Sequence, residues 1–265
     1  MLYIGMRCAL YKKLAYLALI FLWPAMGLAS TLKPLAGEYV YEVQWNFLTI
    51  GKVVMGASEE NGRYHFAVDS KTRGIVRLFE RQKGLATAKG NITRMGEYVP
   101  TSYLSTSESD DGNRRSEVRY QNGKIIDFNA TPKDDPSWRP LVPVNELQHA
   151  TDPASAFLIL RQKLLENFKA KIKETKVQTF DGRRLAEFTV ISVNRATKKL
   201  GKEFIPVVNT VLKRRPIHGY TPKELKKYDE GDPQVHVYWS TDGYMLPVVI
   251  EVFTGFGKIS LELQK

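Results

Sequence analysis

The segment Asp152 to Lys169, DPASAFLILRQKLLENFK, is the one long run in this 265-residue chain whose apolar residues recur at helical spacing. Phe157, Leu160, Leu164 and Phe168 fall at i, i+3, i+7 and i+11. Leu158 and Leu165 widen the stripe, while Arg161, Lys163, Glu166 and Lys169 mostly take other positions,. The pattern predicts one amphipathic helix. Its start is well marked, because Asp152 can accept hydrogen bonds from the first free N–H groups and Pro153 suits the first helical position.

Nearly everything on either side reads as short strands and turns. From Tyr39 to Phe47, aromatic and apolar residues alternate with polar ones, and period two over nine residues is a strand with an aromatic face,. Ile50 to Lys52 reads as an interruption, and Val53 to Ala57 as the next strand. Asn61-Gly62 and Asn122-Gly123 are pairs suited to the positive φ angles of tight hairpins,. With Ile75 to Phe79 counted as a strand, the first half is expected to be a meander of about eight strands. Between Thr131 and Pro153 the alternation stops, and Pro132, Pro136, Pro140 and Pro143 mark an extended connector,.

Beyond the helix the strand signals resume. Pro206 within Phe204 to Leu212 suggests an edge or a bulge, and Lys198, Lys199 and Lys202 read as loop residues,. Residues 214–233 look like an excursion from the sheet, in which Thr221-Pro222-Lys223-Glu224 has the form of a capping box for a short helix to about Tyr228,. The expected fold is mainly β: a large curved antiparallel sheet, or a spiral and partly open β-barrel, wrapped around one amphipathic α-helix. A single domain over residues 30–265, with halves 30–150 and 151–265, is preferred to two, because both halves can supply apolar surface to the helix.

Residues 1–29 have the form of a secretory signal peptide. Arg7, Lys12 and Lys13 give the basic start, Leu14 to Trp23 the apolar stretch, and Gly27 and Ala29 the small residues before a cut at Ser30,. An uncleaved anchor is the rival, but the apolar run to Leu28 is about 15 residues with Pro24 inside it, whereas spanning takes about 20,. Cleavage would remove Cys8, the one cysteine, so core burial and not disulfides would have to stabilise an exported chain,. It would also leave 36 basic and 28 acidic residues, a formal charge of +8 against +11 for the whole chain. A basic exported protein is drawn to anionic envelope surfaces, and export argues against nucleic acid as its partner. An outer-membrane barrel fits less well, since such barrels need strands of about 9 to 11 residues with an apolar outer band.

Candidate site residues are few. Tyr39, Tyr41, Trp45 and Phe47 are expected to face the interior, with Phe157, Leu160 and Arg161 of the helix opposite them. Such a lining suits an acyl chain or other envelope amphiphile, or the rings simply pack on the helix. Arg161 meets a carboxylate such as Asp181 or lies exposed. Arg183 and Arg184 follow a tight turn and form a candidate basic surface. The histidines at 65, 149, 218 and 236 are too scattered for a metal motif, and neither a nucleophile elbow nor a phosphate loop is present,. No metal, cofactor or catalytic residue is therefore expected. A hydrolase with a non-local site is the third reading, after a carrier and a scaffold acting through envelope proteins.

Three motifs carry a resemblance. Asp152-Pro153-Ala154-Ser155-Ala156 leading to Arg161, Thr179 to Arg184, and Val237-Tyr238-Trp239-Ser240 with Leu246-Pro247 and Phe256-Gly257 resemble the bacterial family of domain of unknown function 3108. Tyr39 to Trp45 and Gly51 resemble it more loosely, and residues 214–233 look longer than the family's usual connection. The resemblance implies an exported envelope protein with a strongly curved sheet. More distantly, that form is similar to lipoprotein carriers and to spiral β-barrel envelope-integrity proteins, which enclose a helix or an apolar cavity. It brings no catalytic residues.

Overall fold

The computed structural model describes residues 32–73, 82–110, 112–170, 175–231, 234–255 and 257–264. The expected signal peptide, the strand at Ile75 to Phe79 and Phe256 lie outside them. Residues Leu32–Lys265 form one compact unit. Its strands are β1 Gly37–Trp45, β2 Leu48–Glu60, β3 Arg63–Thr72, β4 Gln82–Ile92, β5 Tyr98–Ser109, β6 Gly112–Gln121 and β7 Lys124–Thr131. After the connector come β8 Ala150–Thr151 and helix α1 Pro153–Ala170. The second half holds β9 Thr175–Phe180, β10 Leu185–Leu200, β11 Glu203–His218, helix α2 Pro222–Asp229, β12 Gln234–Ser240, β13 Pro247–Thr254 and β14 Gly257–Leu263.

All fourteen described strands join one sheet in the order β7-β6-β5-β4-β3-β2-β1-β14-β13-β12-β11-β10-β9-β8. Consecutive strands of each half pair antiparallel as in a meander, except that β8 pairs parallel to β9, the long helix α1 being the crossover between them,. The first and last strands join the halves, with Tyr41 opposite Leu263 and Trp45 opposite Ile259. The two ends of the sheet also meet, β7 against β8. They meet through side chains: Phe128 packs edge-on against Phe180 at 5.0 Å, and Gly182 lies so close to Ser116 that a Cβ there would fall 2.8 Å from the serine's own.

A rolled sheet of this many strands encloses more room than its own side chains fill, since about eight strands already make a barrel that side chains just fill. Helix α1 takes up that room. Leu158 belongs to the apolar cluster built with Tyr41, Tyr64, Phe66 and Phe180, whereas Leu160 and Leu164 belong to a second one with Val190, Val208, Val237 and Trp239. Phe157 stacks between the two halves, 5.0 Å from Phe66 and 5.8 Å from Trp239. The helix is thus enclosed on opposite faces along its first turns, further than a single stripe implies, and Lys163 and Glu166 reach solvent only later.

Several local readings are corrected. The first turn is Asn46-Phe47, where Asn46 takes φ 54°, and the interruption expected at Ile50 to Lys52 is a bulge at Ile50 within β2, which continues to Glu60,. β10 and β11 form one long hairpin that includes Lys198 and Lys199, with Gly201 at its turn. Pro206 is tolerated in β11 because it pairs only with Thr197 of β10; pairing with β12 begins at Val207,. Residues 214–218 continue β11, so the excursion is shorter than expected. Its capping box is present at Thr221 and Glu224.

Leu164 is fully buried, whereas Phe47 is 87% exposed. Leu164→Ala is therefore expected to lower the free energy of unfolding by about 2–5 kcal/mol in urea titrations. Phe47→Ser should change it by no more than about 0.5 kcal/mol.

Candidate functional site

The interior is organised by two polar groups of α1, one at its start and one in its middle. Asp152 is wholly buried and caps the helix, accepting from the backbone N–H of Ser155 at 2.7 Å. The Ser155 hydroxyl is 2.7 Å from the Tyr64 phenol. Tyr64 reaches it across Gly90, where a Cβ would come within 2.4 Å of the ring, so only glycine fits,. Burial pushes the Asp152 carboxyl up to about 6, although its bonds to Ser155 act the other way,. Burial likewise raises the phenols of Tyr64, Tyr103 and Tyr120, and the charge of Asp152 adds to each.

Arg161, two turns on, has no exposed surface. Its Nε donates to the Tyr244 carbonyl at 2.6 Å, Nη1 to Glu59 at 3.1 Å and to the Tyr98 hydroxyl at 3.3 Å, and Nη2 to the Lys33 carbonyl. These partners come from β2, β5, the β12–β13 turn and the segment preceding β1. The turn is shaped for the purpose: Asp242 accepts from the Ser240 hydroxyl and the Tyr244 N–H, and Ser240 accepts from the Leu246 N–H. A guanidinium fits here because its planar fork supplies several donors at once.

The residues expected to line an interior site are not brought together. Tyr41 is buried, with its hydroxyl donating to the Pro247 carbonyl at 2.8 Å, and Tyr39 is half-buried. Trp45 and Phe47 are corrections: Trp45 ends β1 at the rim and Phe47 sits on the hairpin turn, 41% and 87% exposed. Phe157 and Leu160 pack in the core, and Arg161 meets Glu59 instead of Asp181. The side chain of Phe168 falls outside the described residues.

Arg183 and Arg184 are not a free basic surface. Arg183 is buried against Asp134 and the Pro132 carbonyl, and Arg184 binds Asp181 at 3.1 Å and Glu224 at 3.3 Å. Arg139, which the sequence did not single out, completes this network through Asp134, Glu224 and the Gly219 carbonyl. Together these groups fasten the connector to the β9–β10 turn and to α2.

A second cluster that the sequence did not reveal lies on the sheet face away from α1. Glu251 accepts from Lys258 at 2.7 Å and from the Tyr238 hydroxyl at 3.0 Å, and pairs with Lys198 at 2.9 Å. Burial opposes the charge on Glu251, but these donors outweigh it and bring the carboxyl down to about 2,. Lys198 also lies 4.0 Å over the Tyr238 ring. The far end of the β10–β11 hairpin is held there, with Leu200 and Ile205 on Val248 and Val249. Long-range pairing of this kind leaves no spacing signal in a sequence.

This geometry defines a β-barrel-like protein, one sheet rolled around a helix that fills it. Residues 40–264 match the family model described as protein of unknown function DUF3108, and the chain belongs to that family. The crystal structure of a β-barrel-like protein of domain of unknown function DUF1849 from Brucella abortus shares the fold. It has a TM-score of 0.52 and 10% identity over 88% of this chain and 98% of that one. The hypothetical protein CT021 from Chlamydia trachomatis overlays with a TM-score of only 0.30 and 8% identity, over 88% and 87% of the two chains. No curated protein matches the sequence.

Two outcomes follow for the buried groups. Because the folded carboxyl of Asp152 holds its proton to higher pH than an unfolded one, its protonation favours the native state below about pH 4, a contribution lost as pH rises through about 6,. Relative to wild type, Asp152→Asn should gain up to about 3 kcal/mol between pH 4 and 7 in urea unfolding. Arg161→Met should cost about 3–5 kcal/mol, since it leaves the buried Glu59 carboxylate without its cation, and Glu59→Gln combined with it should cost less than the two changes summed,.

Proposed function

We propose that this is an exported envelope protein without catalytic activity of its own, which acts as a scaffold through its outer surface. The observation that carries this reading is the position of Phe157, clamped between Phe66 and Trp239 with Leu158, Leu160 and Arg161 buried around it. Side chains of α1 occupy the interior that a carrier would keep for an acyl chain. The ionisable clusters support the same reading, because each charged group named above in them is matched to a partner within the fold. Export is the reading that the basic start, apolar stretch and small residues of positions 1–29 support,.

Native mass spectrometry of the protein purified from the periplasm of its own cells tests both parts. The expected species is a chain beginning near Ser30 with no bound small molecule. A reproducible lipid or acyl chain that disappears when Leu160 is replaced by Lys, in a variant that still folds, would replace the scaffold with a carrier. A retained N-terminus in a cytoplasmic fraction would remove export.

A further inference from the structure

The connector between β7 and β8 holds a stretch, Trp138-Arg139-Pro140-Leu141-Val142-Pro143-Val144, whose backbone is constrained before any contact is made. The rings of Pro140 and Pro143 set their own φ at about −65°, and each steers the residue before it, Arg139 or Val142, away from helical angles. Residues 140–143 accordingly form neither helix nor strand, and Pro143 takes φ −63° and ψ 133°. These are the angles of polyproline II, a left-handed screw with about three residues per turn.

Burial along the stretch follows that period. Arg139 and Val142 are buried, whereas Trp138, Pro140, Leu141, Pro143 and Val144 are exposed, Leu141 and Val144 at 68% and 70%. The buried edge anchors the segment. Arg139 pairs with Asp134 and Glu224 and donates to the Gly219 carbonyl at 2.6 Å, while Val142 joins Leu147 in the larger apolar cluster. What stands outside is a ridge of prolines and apolar side chains. It cannot collapse onto the surface beneath, because the inward positions of the screw are already taken.

We propose that residues 138–144 are a preformed polyproline II ridge that docks into an aromatic-lined groove of a partner protein. Pro140 and Pro143 carry no N–H, so an incoming strand could not build a regular ladder along the ridge. Their rings, with Leu141 and Val144 beside them, offer flat apolar faces that fit between tryptophan and tyrosine side chains. The screw is held rigid before docking, so binding orders little that was not already ordered. Recognition of this kind needs no excess of charge on either side. The proposal rests on the reading above that the protein acts through its outer surface, and it names the kind of partner which that surface fits.

The test places the photo-cross-linking residue p-benzoylphenylalanine at Leu141 or Val144, and for comparison at Ile126 or Phe204, in the full chain expressed in its own cells. Ile126 and Phe204 are exposed on β7 and β11. The expected result is one protein adduct common to Leu141 and Val144 and absent from the other two positions. With that protein purified, Leu141→Ser and Val144→Ser should each weaken binding by about tenfold or more, as should loss of an aromatic side chain from the cross-linked groove. Both serine variants should keep the circular dichroism of the wild type, since the replaced side chains are exposed. Pro140→Ala combined with Pro143→Ala restores two N–H groups and loosens the screw, so it should weaken a groove-bound ridge and favour an added strand. No adduct at Leu141 and Val144, an adduct made with lipid, a partner cross-linked only through Ile126 or Phe204, or unchanged or tighter binding by the double proline variant would each overturn the proposal. A partner found only elsewhere on the surface removes this ridge and leaves the scaffold reading standing, whereas a lipid found inside the purified protein removes that reading without bearing on the adduct.

Discussion

The guanidinium of Arg161 is the constraint on which the rest of the fold depends. A fully buried cation is tolerated only when its donors are matched, and the matching here draws a carboxylate, a phenol and two carbonyls from four separate parts of the chain,. Those parts belong to both meanders. One side chain of the central helix therefore sets where each half of the sheet stands around it, and the apolar contacts of Phe157, Leu160 and Leu164 act within that frame. An ordinary hydrophobic side chain at this position would fill the volume but would leave the Glu59 carboxylate without its cation and the carbonyls of Lys33 and Tyr244 without the guanidinium donors.

Closure of the sheet follows the same logic. Where the two ends of the sheet meet, packing is made by Phe128 of β7 on Phe180 of β9 and by Ser116 of β6 on Gly182 of the β9–β10 turn, whereas the seam between β1 and β14 is a regular antiparallel ladder. A ladder joins the two ends of the chain, and side chains join the two ends of the sheet. The connector between the halves lies over the weaker seam, and Arg139 and Arg183 tie it down through Asp134. Three of the charges that might have looked available for a ligand, on Arg139, Arg183 and Arg184, are spent on this closure.

The interior of the barrel is occupied by its own helix, and its outside is uneven. One face carries the Glu251 network that folds the β10–β11 hairpin back onto the sheet. Another carries α2, a helix pinned at its cap and otherwise unburied. The first satisfies its charges internally and needs nothing further to explain it. The second exposes Leu225 beside lysines, of which Lys226 pairs with Glu230 on the surface.

Much of the architecture was legible in the chain. Helical spacing after Asp152 and strand alternation elsewhere foretold one long helix in a large antiparallel sheet, because side-chain periodicity is imposed by the backbone of each element and needs no partner. The turns at Asn61-Gly62 and Asn122-Gly123 and the capping box at Thr221 were readable for the same reason: their chemistry is local. The turn at Asn46-Phe47 was missed because phenylalanine is no turn signal, and with it went the placement of Trp45 and Phe47, which alternation assigned to the interior and the rim exposes. What only the tertiary structure decided are the long-range meetings of charge: Arg161 with Glu59, Arg183 with Asp134, and Lys198 and Lys258 with Glu251. Each joins residues at least seven positions apart, and most join residues many tens apart, through geometry that exists only once the sheet has rolled. By itself the sequence determined which segments become helix and strand; the closing of the sheet determined which charges are buried and which face solvent.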